Sequence, residues 1–237
     1  MSLNTIELSI IIPCYNEKNT IEKVISKVKK NISDFDEIIV VDDFSTDGTR
    51  DILNKLEKLG DIKLILKNKN DGKGSCVRKG LRVASGKYII IQDADLEYSP
   101  EEYSKIILPF YEANADVVYG SRFIGGGKYI RVHFFWHYLA NKILTFLCNM
   151  VTNLNMTDME TGYKAFTNKS IKSIHLNENS FGFEPEVTIK LAKKKYKFFE
   201  VPITYNGRSY EEGKKIRLKD AFIAVYCILK YGFTYNK

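Results

Sequence analysis

Residues 88–97 read Tyr88-Ile89-Ile90-Ile91-Gln92-Asp93-Ala94-Asp95-Leu96-Glu97, a β-prone apolar run followed at once by three carboxylates at alternating positions. Apolar side chains on consecutive positions do not suit a strand with one wet face. They call for cover on both sides, as in a parallel sheet flanked by helices. Ile38-Ile39-Val40-Val41 has the same character and also ends in acids, Asp42-Asp43, while the run over residues 8–12 ends in Pro13-Cys14-Tyr15-Asn16-Glu17. Amphipathic stretches over residues 20–30, 48–59 and 73–84 separate these runs, with a further apolar segment at 62–66. This βαβαβαβ rhythm predicts an α/β fold with a Rossmann-like, mostly parallel sheet and helices on both faces. Ligands of such sheets collect at the carboxyl ends of the strands, where this sequence turns polar.

The 237 residues, 44% of them hydrophobic, are enough for one large domain with a sizeable core, and no stretch is low-complexity. The formal charge of +7 is compatible with nucleic acid, anionic lipid or phosphorylated small molecules. Nucleic acid is disfavoured because no binding motif appears and the Lys and Arg residues form no single stripe. Cys14, Cys76, Cys148 and Cys227 lie far apart without CxxC spacing, which suggests neither zinc nor a disulfide framework and fits a reducing cytoplasm. His133, His137 and His175 share no metal-binding spacing, and no Ser-His-Asp or Cys-His arrangement emerges. No secretion signal is visible at Met1, and the longest apolar segments, near 134–151 and 221–233, are interrupted by His, Asn and Lys. Membrane attachment is therefore expected to be peripheral.

Two acid clusters carry the chemistry. Capping a helix near Thr49 needs one side chain, such as Thr46 or Asp47, so the adjacent Asp42 and Asp43 are candidates for hydrogen bonds to a nucleobase or ribose. Asp93, Asp95 and Glu97 cannot all be buried unpaired, since repulsion and desolvation would raise their pKa values steeply. A Mg²⁺ or Mn²⁺ ion resolves that conflict, being suited to carboxylate and phosphate oxygens.

Five motifs in order resemble family-2 glycosyltransferases of the GT-A fold: Ile11-Ile12-Pro13-Cys14-Tyr15-Asn16-Glu17, residues 41–49, Gly72-Lys73-Gly74, residues 93–97 and Gly120-Ser121-Arg122. The later segments 158–166, 182–184 and 208–215 look like the dolichyl-phosphate mannose synthase subgroup and its bacterial relatives. The resemblance implies transfer of a sugar from a GDP- or UDP-linked donor to a polyprenyl phosphate at a membrane face. Residues 1–122 would form the nucleotide-sugar half and 123–237 the acceptor half of one domain.

By the same resemblance, Pro13, Tyr15 and Glu17 line the base and ribose pocket and Asp42 contacts the nucleoside. Asp43, Lys73 and Ala94 complete the donor side, and Asp93, Asp95 and Glu97 surround the metal. Many mannose synthases carry glutamine where Glu97 stands. Arg122, Arg208 and Lys214 are candidates for phosphate oxygens, tasks that suit a guanidinium fork and an ammonium point charge. Asp158 and Glu160 are the place to seek a general base, as a saccharide or protein hydroxyl acceptor would require. A lipid phosphate needs none, because it is mostly dianionic near pH 7. Direct displacement would invert the anomeric centre. A nucleotidyltransferase is the remaining enzyme class, but no Gly-rich activating loop follows the first strand.

The segment 133–151 is aromatic and apolar over most of a helical circumference, apart from a polar strip at His137, Asn141, Thr145 and Asn149. Such a helix is either core or lies in a lipid interface, and the resemblance favours lipid. Lys214, Lys215, Arg217 and Lys219 precede a second apolar run, an order that suits an anionic leaflet.

Overall fold

The computed structural model describes residues 7–125, 134–207 and 218–234. Strands β1 (Leu8–Cys14), β2 (Glu37–Asp42), β3 (Lys63–Leu66), β4 (Tyr88–Ile91), β5 (Val117–Ser121), β6 (Lys164–Thr167) and β7 (Phe198–Pro202) form one sheet in the order β3-β2-β1-β4-β6-β5-β7. All neighbours pair in parallel except around β6, which runs antiparallel to both β4 and β5. The rhythm of the first half thus yields the parallel sheet expected, while the antiparallel insertion of β6 has no counterpart in that rhythm. Strands from both halves of the chain share the sheet.

Consecutive apolar residues divide between two cores. Ile11, Ile39, Val41, Ile89 and Ile91 point to one, together with Val77 and Leu81 of α3 (Lys73–Val83). That face also receives α5 (Phe135–Thr152), α6 (Asn168–Lys172), α7 (Phe183–Lys193) and α8 (Leu218–Thr234). Ile10, Ile12, Ile38, Val40 and Ile90 point to the other face, covered by α1 (Ile21–Lys29), α2 (Thr49–Lys58) and α4 (Tyr103–Glu112). The alternation of side chains along a strand requires this division, so each apolar run serves two layers at once.

The helix α5 is inverted relative to an ordinary surface helix, because its polar strip faces the protein. Asn141 donates to Asp158 Oδ1 (3.2 Å), the Thr145 hydroxyl accepts from the Met159 N–H (3.1 Å), and Asn149 exchanges hydrogen bonds with the backbone of Met156 (2.8 and 3.1 Å). Outward stand Phe135, Trp136 (75% exposed), Ile143, Phe146 and Met150. The adjacent α8 likewise exposes Phe222 (76%), Tyr226, Leu229 and Phe233. No helix among the described residues is long and apolar enough to cross a membrane.

Candidate functional site

The carboxyl ends of β1 and β2 lie level, and β4 ends beside Ile11, three residues before the end of β1. Cys14 pairs with Asp42, the Asp43 N–H donates to Cys14 O (2.8 Å), and the Gln92 N–H donates to Ile11 O (3.0 Å). Just past each end the chain turns through a left-handed residue, Asn16 (φ 52°), Phe44 (φ 66°) and Leu96 (φ 64°). Non-glycine residues adopt this conformation rarely, and such strain gathers at ligand sites. Local hydrogen bonds hold the turns: Asn16 Oδ1 accepts from the Thr46 N–H (2.8 Å), the Thr49 hydroxyl from the Glu17 N–H (3.0 Å) and Asp47 from the Lys18 and Thr49 N–H groups.

Pro13 is partly buried in β1, Tyr15 is exposed at its end, and Ala94 is buried. The Glu17 carboxylate accepts from the Thr20 hydroxyl (2.7 Å) at the start of α1. Asp42 is 0% exposed; its Oδ2 accepts from Arg50 Nε (2.6 Å) and the Ser45 N–H (3.1 Å), and the guanidinium lies 5.0 Å from the centre of the Phe44 ring. Asp43 accepts from Lys67 Nζ and from the N–H groups of Asp71 (3.0 Å) and Gly72 (2.6 Å). In this arrangement both carboxylates hold the walls of the site rather than face a ligand. Arg50 and Lys67, which hold them, went unnoticed in the sequence. The one signal was a lysine immediately past an apolar run.

Asp93 is the more open acid. Its Oδ1 lies 2.8 Å from Nζ of Lys73, the first residue of α3, and the same ammonium lies 3.5 Å from Glu184 Oε1 on α7. Gly162 makes this approach possible, since a Cβ there would collide with Asp93 Oδ2 and press on Lys73 Nζ. Burial alone would depress the Lys73 pKa, but the charges of Asp93 and Glu184 raise it well above the ordinary lysine value. Asp95 Oδ1 accepts from the Glu97 N–H (3.1 Å). Glu97 Oε2 accepts from the Tyr205 hydroxyl (2.7 Å), beside a bridge joining Tyr98 to Tyr205. In place of the expected three-acid enclosure, no group of three or more His, Cys, Asp or Glu able to hold a metal is gathered among the described residues. Glu97 instead braces the segment after β7. Asp93 and Asp95 still fit Mg²⁺ or Mn²⁺. They are hard oxygen donors, partly exposed at a strand end, and Asp93 already holds a cation. Magnesium commonly takes one or two carboxylates and fills its shell with water and substrate phosphate.

Arg122 follows β5 and is closed on Asp158. Its Nε and Nη2 reach the two carboxylate oxygens at 2.7 Å each, and its N–H donates to Oδ2 at 3.0 Å. Burial would push the Asp158 pKa up, but Arg122 outweighs it and the net shift is downward. The guanidinium also lies 5.2 Å from the Tyr205 ring centre. Asp158 is thus a fully buried, bidentate partner rather than the presented base sought in the sequence. Glu160 lies in an acidic interior. Burial and the charge of Glu184 raise its pKa, while burial lowers that of Lys164, whose Nζ donates to Met159 O (2.8 Å) and Thr161 O. Glu160 Oε1 and Glu184 Oε2 are buried without a hydrogen-bond partner among the described residues. Arg208, Lys214, Lys215, Arg217 and His133 lie outside the described residues.

The profile described as Glycosyl transferase family 2 matches residues 9–174. The chain belongs to this family. Among relatives of the family-2 chain, the dolichol-phosphate mannosyltransferase of Pyrococcus furiosus is 31% identical over 211 residues, covering 88% of this chain and 59% of its own length. The undecaprenyl-phosphate mannosyltransferase of Micrococcus luteus is 28% identical over 217 residues, covering 86% and 85%. The chain therefore spans about three fifths of the archaeal relative and most of the bacterial one. Among solved structures, glucosyl-3-phosphoglycerate synthase from Mycobacterium tuberculosis, in complex with Mn²⁺, UDP and glucosyl-3-phosphoglycerate, superposes with a TM-score of 0.73 at 17% identity. It covers 98% of this chain and 81% of that one. That likeness shows the shared GT-A-like fold.

Proposed function

We propose that this family-2 chain transfers a sugar from a nucleoside diphosphate donor to a polyprenyl phosphate, inverting the anomeric centre, at the cytoplasmic face of a membrane. The observation that carries the choice of acceptor is the closure of Asp158 on Arg122, with both carboxylate oxygens taken by the guanidinium. A hydroxyl acceptor needs a presented base, whereas a phosphate monoester, with a second pKa of about 6, arrives as an oxyanion. The names of the P. furiosus and M. luteus relatives support the same acceptor class, and they make a mannosyl donor the first to assay.

In this reading a phosphate oxygen of the lipid attacks the anomeric carbon as the bond from that carbon to the β-phosphate oxygen breaks, and the electron pair leaves with the nucleoside diphosphate. Pro13, Tyr15, Glu17 and Ala94 line the nucleoside pocket, whose walls Asp42 and Asp43 hold. Asp93 and Asp95 would hold a Mg²⁺ or Mn²⁺ ion, which would supply charge neutralisation for the leaving diphosphate. Arg208 and Lys214 counter phosphate charge, and Arg122, fixed by Asp158, presents a rigid positive face next to Tyr205. The exposed aromatic faces of α5 and α8 support docking on lipid, with Trp136 and Tyr138 at headgroup level.

The test incubates labelled GDP-mannose, and UDP-sugars in parallel, with undecaprenyl or dolichyl phosphate and follows organic-extractable label. Transfer to the lipid is expected, and folded Asp158→Asn should retain more activity than the roughly 10²–10⁴-fold loss that removal of a base would cause. Transfer only to sugar hydroxyls, abolished in folded Asp158→Asn, would replace this reading. Trp136→Ser combined with Phe222→Ser should reduce flotation with anionic vesicles, and unchanged flotation would remove the membrane-docking part.

A further inference from the structure

Lys73 occupies a position that a divalent cation at Asp93 must contest. Its ammonium is 2.8 Å from Asp93 Oδ1, so a metal taking that carboxylate meets a positive charge already in contact with its ligand. Removing the lysine to solvent is one escape, but only about a fifth of its side chain is exposed. A second carboxylate stands ready. Glu184, the second residue of α7, is buried, with Oε1 3.5 Å from Lys73 Nζ and Oε2 without a hydrogen-bond partner among the described residues. Charge-assisted hydrogen bonds are about 2.7–2.9 Å long, so a displacement of about 0.7 Å would convert this loose contact into a full one. Glu160 and Lys164 are the charged neighbours of Glu184 on the β6 side.

We propose that Lys73 is a placeholder cation: it neutralises Asp93 in the unloaded enzyme and passes to Glu184 when a divalent ion takes Asp93. Glu184 is then a positioning residue. It touches neither substrate nor metal, and it sets metal affinity by receiving the displaced ammonium. The device would keep Asp93 ordered between turnovers without an unpaired charge beneath the donor pocket, and it would match metal entry to a local side-chain shift rather than to a rearrangement of the fold. The inference rests on the reading of Asp93 as a metal ligand.

A double-mutant cycle on Mn²⁺ binding, read by electron paramagnetic resonance of the free ion with and without GDP or UDP, tests it. Lys73→Met should tighten Mn²⁺ binding about tenfold by removing the competitor. Glu184→Gln should weaken it about tenfold in the presence of Lys73, and by less than about twofold in the Lys73→Met background, because contacting groups couple and groups with no shared partner do not. Lys73→Gln, which keeps a hydrogen-bonding head, should change affinity in the same direction as Lys73→Met, and melting curves establish folding for each variant. Binding by the wild type that is unchanged or weaker in both Lys73 variants, or an effect of Glu184→Gln that is equal in the two backgrounds, overturns the placeholder and leaves the metal reading standing. Absence of Mn²⁺ binding in the wild type and in both Lys73 variants overturns both.

Discussion

Asp42-Asp43 and Asp93-Ala94-Asp95 follow strands that flank β1 on either side, and both clusters sit at carboxyl ends of the same parallel sheet. Their partners separate them. The first pair is closed by Arg50, Lys67 and backbone N–H groups, and Lys67 is itself only 2% exposed. The second is partly open: Asp95 accepts from the Glu97 N–H, and Asp93 meets a cation that has an alternative carboxylate 3.5 Å away. Acids with committed partners inside the protein contribute to stability, and in the proposed function the more open pair receives the metal.

The strongest break in this contrast is Asp43→Ala. It leaves the buried Lys67 ammonium with only the longer ion pair to Asp71 (3.4 Å) and the Asp71 and Gly72 N–H groups without their acceptor, which costs about 3–5 kcal/mol and should lower the melting temperature by roughly 6–20 °C in a chain of this size. A melting temperature within a few degrees of wild type would show that the pair does not brace the fold.

Asp95→Asn should do the reverse. Transfer activity is expected to fall on the order of 10²–10³-fold, while the melting temperature stays within about 2 °C, because the side chain is partly exposed and, in the proposed reading, serves an incoming charge. A large loss of stability with little loss of activity would erase the distinction between the two clusters.

Glu37, at the opposite end of β2, sharpens the contrast at lower amplitude. Burial would raise its pKa, but hydrogen bonds from Lys63, Ser9 and Ser85 prevail and bring it down from 4.5 to about 2. With the folded value below the unfolded one, its stabilisation is complete above about pH 4.5 and is lost as pH falls towards 2. Denaturant titrations of Glu37→Gln should therefore show a flatter pH dependence of stability across that window, by about 1–2 kcal/mol after allowing for solvent screening of Lys63. An unchanged slope would show that this closed acid contributes nothing.

The sequence by itself determined the parallel core of the sheet, because runs such as Ile38–Val41 and Tyr88–Ile91 can be buried only with cover on both faces. It also determined that acids, and not histidines or cysteines, stand at the strand ends, and that α5 carries a polar strip. Those features are local: they depend on spacings of two to four residues along one strand or helix. Only the tertiary structure decided which way the strip faces, where β6 enters the sheet, and which carboxylate each cation takes. Asp43 meets Lys67 across 24 residues, Arg122 meets Asp158 across 36, and Lys73 meets Glu184 from the other half of the chain. Pairings at such separations follow from strand order and helix packing, so no short window of sequence encodes them. Glu160, a candidate base in the sequence, and Glu184, part of a segment that carries the family resemblance, are buried together by the fold beside Lys73 and Lys164, where low polarity makes each partner decisive.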